Sequence, residues 1–252
     1  MRTLRSTAFI YLCSNSCAAP QVVHHVTDRD VPQLVVLSDF DGTIVTIDTA
    51  EFSLNKFADR SWTLIDEQFE RGDITFEESL RREFEMLKVS ENDILRELEG
   101  VTDLRPSFEK LVKYCEMKDL PLIVVSGGLD FCIRHFLQKN GCLNSVEIYA
   151  PKSKQTREGF TVTFPQVYDK TSTNLKDDLV KYYKDRSTKV VYIGNGRADY
   201  PAAKIADIAF SIKDSPLAEL CKVSGVPCRE FTDFQQVIDA IDDYLQQIAT
   251  SH

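Results

Sequence analysis

QLVVLSDFDGT, residues 33–43, is the stretch on which the fold turns. Residues 33–38 form a continuous apolar run of the kind that makes a strand buried on both faces of a parallel sheet, and the chain then becomes abruptly polar. The same arrangement returns twice: PLIVV at 121–125 runs into SGG, and KVVYI at 189–193 runs into GNG. Helical periodicity lies between these runs, as in Phe108, Leu111, Val112 and Cys115 at i, i+3, i+4 and i+7 after Ser107. Strands alternating with helices predict an α/β fold with a doubly wound, Rossmann-like parallel sheet.

Residues 49–99 differ in character: charged, amphipathic and helical, with capping-box spacing at Thr75/Glu78 and Ser90/Asp93 and no strand signal. A helical cap inserted after the first strand is expected. The division is then an extension at 1–30, a core at 31–48 and 100–252, and a cap at 49–99. VEIYA and FTVTF, on either side of residues 157–159, predict a β-hairpin within 146–165. The C-terminal stripe Phe234, Val237, Ile238, Ile241, Leu245 and Ile248 reads as core packing.

A chain of 252 residues with 43% hydrophobic and 27% charged content is globular, not disordered. Its net charge of -9 sets it against phosphodiester backbones, so nucleic acid is excluded as the main partner. Seven cysteines, Cys13, Cys17, Cys115, Cys132, Cys142, Cys221 and Cys228, are odd in number and lack CxxC spacing. They read as reduced thiols of a reducing, cytoplasmic compartment. The apolar runs are too short for a membrane span, so no membrane partner is expected. Residues 1–25 carry Arg2 and Arg5 and no acid precedes Asp28, the composition of a transit peptide, so an organellar location is the alternative. A floppy tail would have the same composition.

Asp39 and Asp41 stand two residues apart at the end of an extended segment, so their carboxylates share a face while Phe40 turns inward. Such a pair repels itself unless a cation or a shared proton intervenes, which is the requirement for a metal-bound nucleophile beside a general acid/base. Gly42 permits a tight turn, and Thr43 offers a hydroxyl to a phosphate. An Asx turn ending a strand is the bland alternative. After the second strand, Ser126 and the Gly127 amide can donate to phosphoryl oxygens at the opening of a helix. Lys176, eighteen residues before Gly194, supplies a charge for a phosphate, with Lys170 as its rival. After the third strand, GNGRAD offers Asn195 and Asp199 as oxygen ligands suited to Mg2+. Three buried strands delivering polar groups at their carboxyl ends mark the edge where open α/β sheets build sites.

DFDGT, VSGG, Lys176 and GNGRAD, in that order, resemble the four motifs of the haloacid dehalogenase-like hydrolases, a likeness spanning most of the chain from Val35 onward. The resemblance implies a magnesium-dependent phosphatase acting on a small phosphorylated metabolite through an aspartyl-phosphate. Asp39 would be its nucleophile and Asp41 its general acid/base, with Ser126 and Lys176 on the phosphate. Asp39, the Asp41 carbonyl and Asn195 would hold Mg2+, with Asp199 supporting that shell. Within the family, residues 76–88 look like the cap helix of phosphoserine phosphatases. Where those enzymes place an arginine for the serine carboxylate this chain has Glu83, and where they place a glutamate for the ammonium group it has Asp48; both are specificity candidates. Arg82 points about 100° away on a helix. DGTIVTIDT and VVSGGLDFCIRHFL are more similar to the ketoenol-phosphate phosphatases of methionine salvage, so that subgroup is preferred and phosphoserine phosphatase is the alternative. Most members carry aspartate where this chain has Asn195. A phosphate-binding or regulatory relative with weak catalysis is therefore a second expectation, and phosphotransfer would use the same residues.

Overall fold

A computed structural model describes residues 32–250. The expectations for residues 1–30, and for Cys13 and Cys17 within them, lie outside the described residues. Strands β1 (Leu34–Ser38), β2 (Leu122–Val125), β3 (Glu147–Tyr149), β6 (Lys189–Gly194), β7 (Ile208–Ile212) and β8 (Arg229–Phe231) form one parallel sheet in the order β3-β2-β1-β6-β7-β8. Every residue of β1 is buried, as its unbroken apolar run requires. From β1 the chain builds first to one side and later to the other, so the carboxyl ends of β1 and β6 form the topological switch point.

Alternate strand residues feed two cores. Leu34 and Val36 join one with Phe108 and Leu111 of α5 (Phe108–Met117), Ile133 of α6 (Asp130–Lys139), and Phe234 and Ile241 of α10 (Phe234–Thr250). Val35 and Leu37 join the other with Leu179 of α7 (Leu175–Lys184), Ala202 of α8 (Tyr200–Ile205) and Leu217 of α9 (Pro216–Ser224). The helical cap follows β1 as α1 (Thr49–Phe57), α2 (Trp62–Glu70), α3 (Phe76–Glu85) and α4 (Glu91–Glu99). It adds Leu54, Trp62, Leu80, Phe84, Ile94 and Leu98 to the first core, so one apolar cluster runs from sheet to cap. Thr75 and Ser90 cap α3 and α4 by accepting from the amides of Glu78 and Asp93.

The hairpin departs from expectation. VEIYA is β3, a parallel edge strand on β2, and the partner of β5 (Gly159–Thr163) is the polar run β4 (Lys152–Thr156). Lys152–Thr156 lacks apolar alternation because it is mostly exposed, so periodicity gave no sign of it. Gly159, at φ +129°, lies against the end of α3: a Cβ there would sit 2.0 Å from the Glu85 carbonyl oxygen. The hairpin thus packs on the cap helix, and Phe160 stacks on Phe131 of α6 at 5.4 Å. Among the described residues no helix is long and apolar enough to cross a membrane.

Candidate active site

Strand β1 ends at Ser38, and the Asp39 amide continues its pairing by donating to the Ile193 carbonyl at 2.8 Å. The chain then turns at Gly42 (φ +67°), where a Cβ would lie 2.3 Å from Asn195 Nδ2, so glycine is required for backbone angle and space alike. Arg105 fixes this turn by donating to the Gly42 and Thr43 carbonyls at 2.9 Å each. Phe40 is wholly buried, leaving both flanking carboxylates on the site.

Asp39, Asp41, Ser126, Lys176 and Asp199 are all buried and converge at the carboxyl edge of the sheet. Lys176 Nζ donates to Asp39 Oδ1 at 2.8 Å and to Asp199 Oδ1 at 2.6 Å. Lys170, the rival lysine, is exposed. Asn174 caps α7 and presents Lys176, accepting from its amide while its own amide holds the Ala198 carbonyl of the fourth loop. Thr43 Oγ1 lies 3.1 Å from both Asp39 Oδ2 and Asn195 Oδ1, so carboxylate and amide oxygens flank one point. Asp41 Oδ1 accepts the Thr49 amide at 3.0 Å and its hydroxyl at 2.5 Å, and Asp41 Oδ2 accepts from Ser126 Oγ at 3.3 Å.

Asp199 is the most heavily bonded of these groups. Its Oδ1 accepts from Lys176 and the Tyr192 hydroxyl, the latter at 2.6 Å; its Oδ2 accepts the amides of Asn195 and Gly196 at 3.0 and 2.8 Å. With both oxygens so engaged, it holds the fourth loop and the lysine in place rather than offering a free ligand oxygen. Gly194 leaves room for it, since a Cβ there would lie 2.6 Å from the Asp199 carboxyl carbon.

Electrostatics at the site are strained by burial. Burial pushes the Asp39 carboxyl up to about 8, with Asp199 and Asp41 adding to the rise and Lys176 opposing it. Burial, then Asp48, pushes Asp41 up to about 7 against the two Thr49 hydrogen bonds. Burial disfavours the Lys176 ammonium, but Asp199 and Asp39 outweigh it and raise its pKa. One lysine among three buried carboxyl groups leaves negative charge that a proton or a cation must offset, as the raised values of Asp39 and Asp41 reflect. The donors suit a hard one: Asp39 Oδ2 and Asn195 Oδ1 are oxygens, and the Asp41 carbonyl accepts no hydrogen bond among the described residues. These residues fit Mg2+ with a single anionic side chain in the set, fewer than the three acidic, His or Cys side chains of a protein-only cluster, of which there is none among the described residues.

Above the loops, Phe76 and Leu80 of α3 lie directly on Gly127: a Cβ there would meet Phe76 at 2.7 Å and Leu80 at 2.8 Å. Glu83, on the same face of α3, is buried and accepts from Ser79 Oγ at 2.6 Å. Asp48 caps α1 through the Glu51 amide and is exposed. Arg82 binds Glu78 on the outer face, away from the site.

Several contributing residues escaped the sequence reading. Thr49 and Tyr192 hold Asp41 and Asp199, Arg105 holds the first turn, and Gly128 packs against Asp41, where a Cβ would lie 2.3 Å from Oδ2. Tyr192 had left a trace, as the one hydroxyl in an otherwise apolar buried strand.

The chain is similar to curated phosphatases over most of its length. It is 30% identical to the 2-hydroxy-3-keto-5-methylthiopentenyl-1-phosphate phosphatase of Brevibacillus brevis, over 86% of this chain and 98% of that one. It is 29% identical to the enzyme of the same description from Geobacillus kaustophilus, over 83% and 96%. In fold it is similar to a phosphoserine phosphatase solved as a phospho-aspartyl intermediate analogue, with a TM-score of 0.60 at 20% identity over 83% of this chain and 99% of that one. The family model described as haloacid dehalogenase-like hydrolase matches residues 36–204, which contain each of the converging side chains above, and the chain belongs to that family.

Proposed function

We propose that the protein is a magnesium-dependent phosphomonoester hydrolase for a small metabolite, working through an aspartyl-phosphate on Asp39, with residues 49–99 as the cap over a core of 31–48 and 100–252. The observation that carries this reading is the convergence of Asp39, Asp41, Lys176 and Asn195 around Thr43 and Ser126. The phosphatases it resembles, and the phospho-aspartyl analogue seen in a relative of like fold, support it.

Asp39 Oδ2, the Asp41 carbonyl and Asn195 Oδ1 would hold Mg2+, which when bound supplies positive charge to the phosphoryl oxygens. Lys176, Ser126, Thr43 and the Gly127 amide bind and orient the phosphate. An Asp39 oxygen attacks phosphorus as the bond to the ester oxygen breaks, and the protonated Asp41 gives its proton to the departing alkoxide. Asp41 then takes a proton from water, whose oxygen attacks the aspartyl-phosphate and releases inorganic phosphate. A carboxyl pushed up to about 7 is suited to both halves of this cycle near neutral pH.

Hydrolysis of an aryl phosphate with and without Mg2+ tests the reading. Turnover should require Mg2+, and Asp39→Asn should lower it by about three orders of magnitude or more. Phosphate binding without turnover in the unaltered protein would overturn it in favour of a regulatory phosphate-binding role.

A further inference from the structure

Tyr192 is a tyrosine where the fold asks only for a phenylalanine. It stands in β6, flanked by Leu37 of β1 and Ala209 of β7, and belongs to the apolar core of Val35, Leu179, Val180 and Ala202. The side chain is wholly buried, and a phenol hydroxyl in such surroundings costs free energy unless it is bonded. That hydroxyl donates to Asp199 Oδ1 at 2.6 Å, beside the bond of equal length that Lys176 Nζ makes to the same oxygen. With the Asn195 and Gly196 amides on Oδ2, Asp199 accepts four hydrogen bonds, the full capacity of a carboxylate.

Lys176 has the opposite balance. An ammonium group carries three donors, and two of them go to Asp39 Oδ1 at 2.8 Å and Asp199 Oδ1 at 2.6 Å. The third has no acceptor among the described residues and is the one left for a phosphoryl oxygen. We propose that Tyr192 is a positioning residue for Lys176: by occupying the other lone pair of Asp199 Oδ1, it limits the hold of that carboxylate on the ammonium and keeps the third donor for the phosphate. Without the hydroxyl, a buried carboxylate oxygen is left half-bonded beside a cation, and it draws the ammonium towards itself, away from Asp39 and the phosphate. The fourth loop is held separately, through Oδ2, so Asn195 keeps its place whether or not the hydroxyl is present. The inference rests on the phosphatase reading above, in which Lys176 binds the phosphate.

Tyr192→Phe removes the hydroxyl and keeps the ring, so the core stays filled. Calorimetric titration of inorganic phosphate, with Mg2+ present, should give a Kd about tenfold higher in the variant, the loss expected of one hydrogen bond to a charged group. Hydrolysis of an aryl phosphate should show kcat/KM lowered by a similar factor. Titration of Mg2+ alone should give affinities within about twofold of each other, because Asn195 is held through Oδ2. A hydroxyl that served only the fold would not separate phosphate from metal in this way. Equal phosphate affinities in variant and parent overturn the inference, and so does a joint loss of phosphate and Mg2+ affinity, which would make the hydroxyl a support for the whole loop. In either case the phosphatase reading stands if the parent turns over the ester. If the parent binds phosphate without turnover, that reading falls and the phosphate titration still decides the role of Tyr192. If the parent binds no phosphate, both fall.

Discussion

On the floor of the site Asp39 and Asp199 share one ammonium group, Lys176 Nζ, at 2.8 and 2.6 Å, whereas on the helix above it, α3, the buried Glu83 has no ion-pair partner among the described residues. The floor is fully organised by the chain itself: Tyr192, two backbone amides and Lys176 engage both oxygens of Asp199. This roof of the site is organised only in position, by a Ser79 hydrogen bond at Glu83. Charge compensated within the protein is held rigidly in place, while a buried carboxyl left without a cation weakens the fold wherever it is ionised.

Breaking the floor should have the largest effect. Lys176→Met leaves Asp39 and Asp199 buried without their shared cation, which should cost about 3–5 kcal/mol of stability and lower turnover by about a thousandfold or more. Denaturant unfolding and aryl phosphate hydrolysis measure the two losses. Retention of both would show that the buried triad is not coupled as its distances imply.

This contrast also explains what could be read from sequence. The floor announces itself because Asp39, Ser126 and Asn195 each follow a continuous apolar run, and a buried parallel strand leaves such a run with an abrupt polar end. Lys176 was legible only through the family pattern, since one lysine in a chain with many has no local signal. Thr49, Gly128 and Arg105 were missed because their role is a contact made across loops, to which neither periodicity nor spacing is sensitive. The hairpin was misassigned for a related reason: β4 is held by pairing with β5 and by the packing of β5 on α3, and its own residues are polar. Glu83 was recognised only as a departure from relatives, and its burial and lack of a cation belong to the folded chain.

An intermediate effect is expected at the metal-facing edge of the floor. Asn195 Oδ1 and Asp39 Oδ2 lie equally far, 3.1 Å, from Thr43 Oγ1, so Asn195→Asp places a second anionic oxygen beside the first. The Mg2+ concentration giving half-maximal activity should fall by about tenfold, as a carboxylate replaces an amide ligand. Calorimetric titration of Mg2+ into both proteins checks the same change without turnover. Equal affinities would mean that residue 195 does not touch the ion.

The smallest effect sharpens the roof side of the comparison and concerns stability alone. Burial, with Asp66 and Asp48 adding to it, pushes Glu83 up from 4.5 to about 7. Between those values the folded protein binds a proton that the unfolded chain has released, so stability falls as pH rises. The contribution of this group is fully present below about 4.5 and is lost as pH passes through about 7. Glu83→Gln cannot ionise, and its amide oxygen can still accept from Ser79. The variant should match the parent near pH 5 and exceed it near pH 8 by on the order of 1 kcal/mol, a few degrees in Tm. Thermal unfolding at the two pH values decides the matter, and a variant less stable than its parent near pH 8 would mean that Glu83 has a cationic partner within the protein.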